Sequence, residues 1–241
     1  MNRRAQAVVM LLFGATVVKA SVTDLYLRYV RHGLRPLLIV GGLLLIVGAI
    51  MTLWYDLRTM SRPTMSDAVH DGHAHREPRV AWLLTLPVLA LLLVAPPALG
   101  SYTAAQVGSV LTARNSSSDY AALPPGDPAR ISLLDYASRA LFDQGRSLAS
   151  RNLELSGFVV AGPDGQPMLA RIVVSCCAAD GRPIKVGLSG NVPTGVAANA
   201  WIRVVGTYTT TTGKDPINAA VVPYLQITNW QQIAVPLEQY E

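Results

Sequence analysis

The sequence predicts a membrane α-helical anchor of two to three spans, joined to a small all-β, OB-like barrel domain that an amphipathic helix precedes. Of its 241 residues, 51% are hydrophobic and only 15% are charged, whereas a soluble domain carries about 25% charged residues. Uncharged apolar runs recur within the first hundred positions. Short strand-like runs, separated by turns rich in Gly, Pro and Asp, follow from residue 152 onward.

The distribution of charge separates the two halves. Of the 20 Lys/Arg and 15 Asp/Glu residues, ten and five respectively lie before residue 101, so ten of each remain after it. The surplus of +5 therefore lies beside the apolar runs, as it does in membrane proteins. A nucleic-acid binder would carry its basic surplus on the folded domain. We predict contact with membrane lipid and no nucleic-acid partner.

The first apolar run permits three interpretations. Residues 5–18 are uncharged but short of the ~20 residues that span a bilayer, and extension to residue 27 includes Lys19 and Asp24. A signal peptide, an interfacial helix and a spanning helix each fit part of this pattern. We favour a span over residues 5–27, with Lys19 and Asp24 paired or near the far interface.

The second apolar run, residues 36–55, is the clearest predicted span. It is uncharged and ends in Trp54 and Tyr55, which suit a membrane interface. Gly41 and Gly48, with Gly42 and Ala49 beside them, place small residues on one side. Such a face allows another helix to approach closely.

A polar loop and a third predicted span follow. The loop, residues 56–79, contains His70, His73 and His75. Neutral imidazoles at this spacing can take Zn²⁺ or a related divalent ion, although a short tract binds weakly without further ligands. The third span is predicted over residues 80–99.

The basic residues predict the membrane topology, because cytoplasmic loops carry more Lys and Arg. With three spans, one side receives Arg3, Arg4, Arg58, Arg62, Arg76 and Arg79. The other side receives Arg28, Arg31 and Arg35. The prediction is a multi-pass protein of the cell membrane with its carboxy-terminal domain outside the cytoplasm.

Residues 101–130 are predicted to be a linker, and residues 131–241 an extracytoplasmic OB-like β domain. A helix is predicted over residues 132–149, with Ser132 as its N-cap. Gly145 weakens the second half of that helix. Five strands are predicted at residues 153–160, 168–177, 184–188, 201–208 and 221–233, with a connection at 209–215. Gly206 predicts a bulge or bend, and the number and spacing of the strands favour a small closed barrel.

The chain has two cysteines, Cys176 and Cys177, which are adjacent. On a regular strand their side chains would point to opposite faces, and a disulfide between neighbours would need a strained turn. Three interpretations remain. A bend after Ser175 could turn both thiolates toward one metal ion with Asp180 as an oxygen ligand, the pair could act in redox or intermolecular pairing, or one cysteine could be a buried apolar residue and the other its chance neighbour.

No set of nucleophile, base and orienting residue is visible in the sequence, and every histidine precedes the β domain. No phosphate-binding glycine loop is present either. We therefore predict no catalytic residues and no enzymatic activity, and no cofactor beyond a divalent metal such as Zn²⁺.

The chain resembles the YcgQ-like family of bacterial membrane proteins, which are described as subunits of a two-component permease. The resemblance rests on the amino-terminal hydrophobic pair, the His-containing loop, and a carboxy-terminal domain with Leu-Ser-Gly-Phe-Val at 155–159 and Ser-Cys-Cys-Ala-Ala-Asp at 175–180. It implies a partner, a polytopic permease of the YcgR-like kind, without fixing the substrate.

Three functions are therefore expected in turn. The first is a non-enzymatic accessory subunit of a permease or transporter. The alternative is a stand-alone metal-binding or metal-sensing membrane protein that uses Cys176, Cys177 and Asp180. An envelope scaffold or lipid-contact protein is the third.

Overall fold

The computed structural model describes residues 3–60, 97–111, 120–148 and 151–241. It divides into two compact units. One contains the amino-terminal helices. The other contains the segment Leu27–Arg31 together with Ala98–Glu241.

The first unit includes two helices that pack against each other, α1 (Arg3–Val22) and α2 (Arg35–Met60). Their backbones approach closely at Gly14 and Gly42. A Cβ atom added to either glycine would lie 2.8 Å from the facing helix, against the Gly42 carbonyl oxygen in one case and Val18 in the other. Gly42 therefore lies on the side of α2 that contacts α1. Gly41 does not, because no atom lies within 4 Å of a Cβ added there.

Among the described residues, one helical stretch, His32–Arg58, is long and apolar enough to cross a membrane. The apolar part of α1, Gln6–Val22, is shorter than that. Asp24 lies beyond the end of α1 and pairs with Arg35 at 3.8 Å. Residues 61–96 lie outside the described residues, and they include most of the predicted loop at 56–79 and of the third predicted span at 80–99. The number of spans therefore stays a prediction.

The second unit is built on a five-stranded closed barrel. Its strands are β2 (Leu153–Ala161), β3 (Pro167–Val173), β4 (Arg182–Gly190), β5 (Trp201–Lys214) and β6 (Val221–Gln232). Their order is β2-β3-β4-β6-β5, and pairing of β5 with β2 closes the barrel. The β4–β6 pair is parallel and the other four are antiparallel. This arrangement fits the predicted OB-like fold. A short strand, β1 (Ala129–Arg130), pairs in parallel with the beginning of β2.

Two further helices belong to this unit, α3 (Ser101–Gln106) and α4 (Leu133–Phe142). Ser132 caps α4 as predicted, because its side chain accepts a hydrogen bond from the Asp135 amide. The helix ends earlier than predicted. Gly145, at φ +70°, donates its amide to the Arg139 carbonyl and closes the last turn.

Local sequence signals located the strands but not all of their ends. The predicted bulge at Gly206 is confirmed by a register shift between Val205 and Gly206. The predicted connection at 209–215 was wrong, since β5 continues to Lys214. The predicted second strand was too long at its carboxyl end, since β3 ends at Val173.

Side chains of the barrel strands form two apolar clusters. The inner cluster receives alternate residues of β2, such as Leu153 and Leu155, and the buried face of α4, including Tyr136. The outer cluster contains Phe158 and Trp201, whose rings meet edge to face at 5.7 Å. Residues of the segment 98–111 and of the carboxy-terminal tail cover this second cluster.

A buried ion pair fixes the covering segment. The Lys185 ammonium and the Asp215 carboxylate lie 2.9 Å apart, with side chains 3% and 0% exposed. Asp215 also accepts the Ser109 amide, and the Ser109 hydroxyl accepts the Lys185 amide. The pair thus joins β4, the end of β5 and a part of the chain that the sequence predicted to be a linker.

Candidate functional site

The cysteine pair lies in a loop between β3 and β4. The strand ends at Val173, the chain bends at Ser175 and Cys176, and a 3-10 turn follows at Ala178–Asp180. Because the pair lies beyond the strand, the expectation of opposite faces on a regular strand does not apply. We call residues 175–180 the thiol loop.

The Asp180 carboxylate holds the thiol loop closed. One of its oxygens accepts the Ser175 amide at 3.1 Å, and the other accepts the Cys176 amide at 2.9 Å. These hydrogen bonds, that from Cys176 above all, keep the pKa of Asp180 below its usual value. Asp180 is therefore a charged acceptor at neutral pH, with both oxygens turned toward the backbone of its own loop.

The two sulfur atoms lie close together near the surface. Cys176 is exposed, Cys177 is partly buried, and their Sγ atoms are 3.6 Å apart. The thiol of Cys176 donates to Cys177, and this hydrogen bond, with the neighbouring Asp180 carboxylate, raises the pKa of Cys176 to about 11. Since the thiolate is the reactive form, Cys176 is a weak nucleophile at neutral pH.

A second segment is hydrogen-bonded to the thiol loop. Residues Leu27–Arg31, here called the strap, connect α1 and α2 in sequence but group with the barrel. The Arg31 amide donates to the Cys176 carbonyl at 3.2 Å, and the Ala178 amide donates to the Tyr29 carbonyl at 2.6 Å. Val30 and Cys177 form an antiparallel bridge. The strap therefore pairs with the thiol loop through an isolated antiparallel bridge.

Tyr240 connects the strap to the carboxy-terminal tail. Its hydroxyl donates to the Arg28 carbonyl at 2.7 Å and accepts the Leu99 amide at 2.9 Å. Burial raises the pKa of Tyr240, so the hydroxyl keeps its proton at neutral pH. Tyr240 also bridges to Ile172 in β3. Neither Tyr240 nor Val30 was singled out from the sequence, because no local pattern links them to the cysteines.

The structure brings two of the predicted metal ligands, Cys176 and Cys177, close together, and it turns the third, Asp180, toward backbone amides. Cys176 and Cys177 are adjacent, whereas the oxygens of Asp180 are engaged by amides. Within the described ranges, no group of three or more His, Cys, Asp or Glu residues could hold a metal ion. His70, His73 and His75 lie outside the described residues. Metal binding at either place stays a prediction.

The outer face of the barrel is occupied by the chain itself. In OB-folds, the face of the second and third strands binds oligonucleotides and oligosaccharides, and here those strands are β3 and β4. Leu99 and Ala104 pack onto the outer cluster of this face, and the Val110 amide donates to the Pro183 carbonyl. A ligand of the usual OB kind would have to displace residues 98–111.

The described chain thus defines a class of protein, one with a helical hairpin and an OB-like barrel domain that carries a vicinal dithiol loop. Residues 139–241 match the family model described as the DUF1980 C-terminal domain. The matched part contains the barrel and the thiol loop, and the match fits the YcgQ-like family. No curated protein and no solved structure is significantly similar to the chain.

Proposed function

We propose that this protein is a non-enzymatic accessory subunit of a bacterial membrane permease, anchored by its helices and carrying the barrel domain outside the cytoplasm. The observation that supports this most is the face of α2 that α1 does not cover. Large apolar side chains are exposed there along the length of the helix, namely Leu37, Val40, Leu44, Val47 and Met51.

Gly41 lies within this face and suits a helical partner. No atom lies within 4 Å of a Cβ added at Gly41, and its neighbours along the face, Leu37 and Leu44, are 69% and 66% exposed. In a bilayer, lipid can cover such side chains, but a small residue among them also lets a second backbone approach. The resemblance to the YcgQ-like family suggests that the partner helix belongs to a YcgR-like polytopic permease.

The strap supports the proposed topology. It is hydrogen-bonded to the thiol loop of the barrel domain, which favours a topology with the connection between α1 and α2 on the same side of a membrane as the barrel domain. The three-span arrangement derived from the basic residues puts these two parts on one side. The positive-inside rule makes that side the extracytoplasmic one.

The proposal is tested by crosslinking from α2 in native membranes. A photoreactive amino acid at position 44 of the full chain is expected to crosslink to one multi-span permease, identified by mass spectrometry. Gly41→Leu should reduce that crosslink at least about tenfold, because a leucine at the contact prevents close approach of the partner helix.

Two controls separate a partner from lipid. Ile50→Leu changes the shape of an exposed side chain that is not part of the named face, and it should leave the crosslink unchanged. Gly41→Leu should also leave the α1–α2 contact unchanged. Crosslinks to lipid alone, or a permease crosslink that is equal in Gly41→Leu and the parent chain, would refute this role for α2.

A further inference from the structure

We propose that Cys176 and Cys177 form a two-thiolate site that binds and exchanges a soft, thiophilic metal ion at the surface of the barrel domain. The inference goes beyond the proposed transporter role and does not depend on it. It rests on the distance between the sulfur atoms, on their exposure, and on the geometry that adjacency imposes on the peptide between them.

The sulfur separation suits one shared ion. Two thiolates bound to one tetrahedral ion at about 2.3 Å each have their sulfur atoms about 3.8 Å apart. The observed distance between the Cys176 and Cys177 sulfur atoms is 3.6 Å. A metal ion can therefore bridge the pair with a small adjustment of the side chains, and binding releases the two thiol protons to water.

A disulfide between the same residues is disfavoured. Consecutive Cα atoms in a trans peptide are about 3.8 Å apart, whereas disulfide-linked residues usually have Cα atoms roughly 4.4–6.8 Å apart. Closing the S–S bond would also require the sulfur atoms to move from 3.6 Å to bonding distance. The amide and carbonyl groups that pair with the strap, on Ala178 and Cys176, oppose rotation of this segment. Adjacency therefore disfavours a disulfide within the pair and leaves both thiols available as a chelator.

Asp180 positions the pair and is not itself a ligand. Its two oxygens accept the Ser175 and Cys176 amides, and this fixes the bend that puts both sulfur atoms on one side. With two protein ligands, the remaining coordination positions are open to water or to ligands from another molecule. Structural sites are closed by four protein ligands, so an open dithiolate suits an ion that is passed on. Soft ions that prefer thiolates are the matching class.

The test is titration of the full chain, in mild detergent and reduced, with Cd²⁺ as the probe. The background carries His70→Ala, His73→Ala and His75→Ala, so that the histidine tract cannot contribute. One Cd²⁺ per chain is expected, with the ultraviolet charge-transfer band of a cadmium–thiolate bond. Mg²⁺ in large excess should not compete, because it prefers oxygen ligands.

Variants distinguish a chelate from chance binding by a single thiol. Cys176→Ser and Cys177→Ser should each weaken Cd²⁺ binding about 100-fold or more, since a second tethered donor adds roughly 10²–10⁴ in affinity. Thr210→Ala, at an exposed position of β5 outside the thiol loop, keeps both thiols and should bind as the parent does. Equal affinity of either cysteine variant and the parent, or the absence of a thiolate band, would overturn the proposal. So would recovery of the untreated protein with a Cys176–Cys177 disulfide.

Discussion

In the helical hairpin two glycines let the helix backbones approach each other, whereas in the barrel domain buried polar groups hold the covering segments in place. Gly14 and Gly42 leave no room for a side chain between α1 and α2, and the other side of α2 exposes apolar residues. In the barrel, Lys185 and Asp215 are almost fully buried, and Ser109 is tied to both. The hairpin surface is suited to a hydrocarbon solvent, and the barrel to water.

The largest effect is expected at the buried ion pair. Lys185→Met removes the ammonium and leaves the Asp215 carboxylate buried without its counter-charge, which should lower the free energy of unfolding by about 3–5 kcal/mol. Urea unfolding of the full chain in mild detergent, followed by circular dichroism, measures it. Arg182→Met, at an exposed position of the same strand, should change stability by less than about 0.5 kcal/mol. A similar loss of stability in both variants would show that the effect of Lys185→Met does not come from the unpaired Asp215 carboxylate.

The hairpin should respond separately from the barrel. Gly42→Leu places a side chain against Val18 and the Gly14 carbonyl, and overpacking of this kind costs about 1–3 kcal/mol. Crosslinking of cysteines introduced at Met10 and Gly48, in a background without Cys176 and Cys177, should fall sharply. The urea midpoint of the barrel should stay the same. A parallel loss of barrel stability would contradict the separation of the two units.

Acid should weaken the barrel through Asp215. Burial raises the pKa of Asp215, but the hydrogen bonds from Lys185, Ile217 and Ser109 outweigh it, so the folded-state pKa lies below the ordinary aspartate value of 3.8. The carboxylate therefore contributes stability above that pH, and the contribution is lost as the pH falls toward the folded-state pKa. Urea midpoints between pH 6 and pH 3 should fall less steeply in Asp215→Asn than in the parent chain, although the variant is less stable at pH 6. Parallel pH profiles would show that Asp215 does not govern the acid response.

The smallest effect is expected at the strap. Tyr240→Phe removes a hydroxyl that donates to the Arg28 carbonyl and accepts the Leu99 amide, and a net hydrogen bond contributes about 1 kcal/mol. Hydrogen exchange should become about fivefold faster at the Arg31 and Ala178 amides, which pair the strap with the thiol loop. The Leu155 amide, inside the β2–β5 pairing, is the internal reference and should not change. Unchanged exchange at Arg31 and Ala178 would show that the strap is held without Tyr240.

Local sequence signals predicted much of the barrel. They did not predict contacts between residues that are far apart in the sequence. Alternating apolar residues located the five strands, Ser132 identified the start of α4, and Gly206 identified a bulge. The Lys185–Asp215 pair could not be found this way, because Asp215 was assigned to a connection that belongs mostly to β5. The sequence also could not predict which of the adjacent glycines, Gly41 or Gly42, faces α1. A rotation of α2 by one residue would exchange them.

For the same reason, the sequence predicted the cysteines of the candidate site but not the segments that pack against them. Adjacent cysteines beside Asp180 are a local signal, and they were recognised. The two hydrogen bonds that Asp180 accepts could not be predicted, because no sequence pattern shows that both carboxylate oxygens turn to the amides of Ser175 and Cys176. Nor does any pattern bring the strap to the thiol loop, since its pairing uses backbone groups that every residue carries.

The segment that covers β3 and β4 has a consequence for what the barrel can recognise. Because residues 98–111 are part of the same chain, they compete for that face at an effective concentration of millimolar order or above. A free oligosaccharide or single strand would have to outbind this tethered competitor before it reached the sheet. While this segment is in place, the domain does not present the face that binds ligands in other members of its fold class.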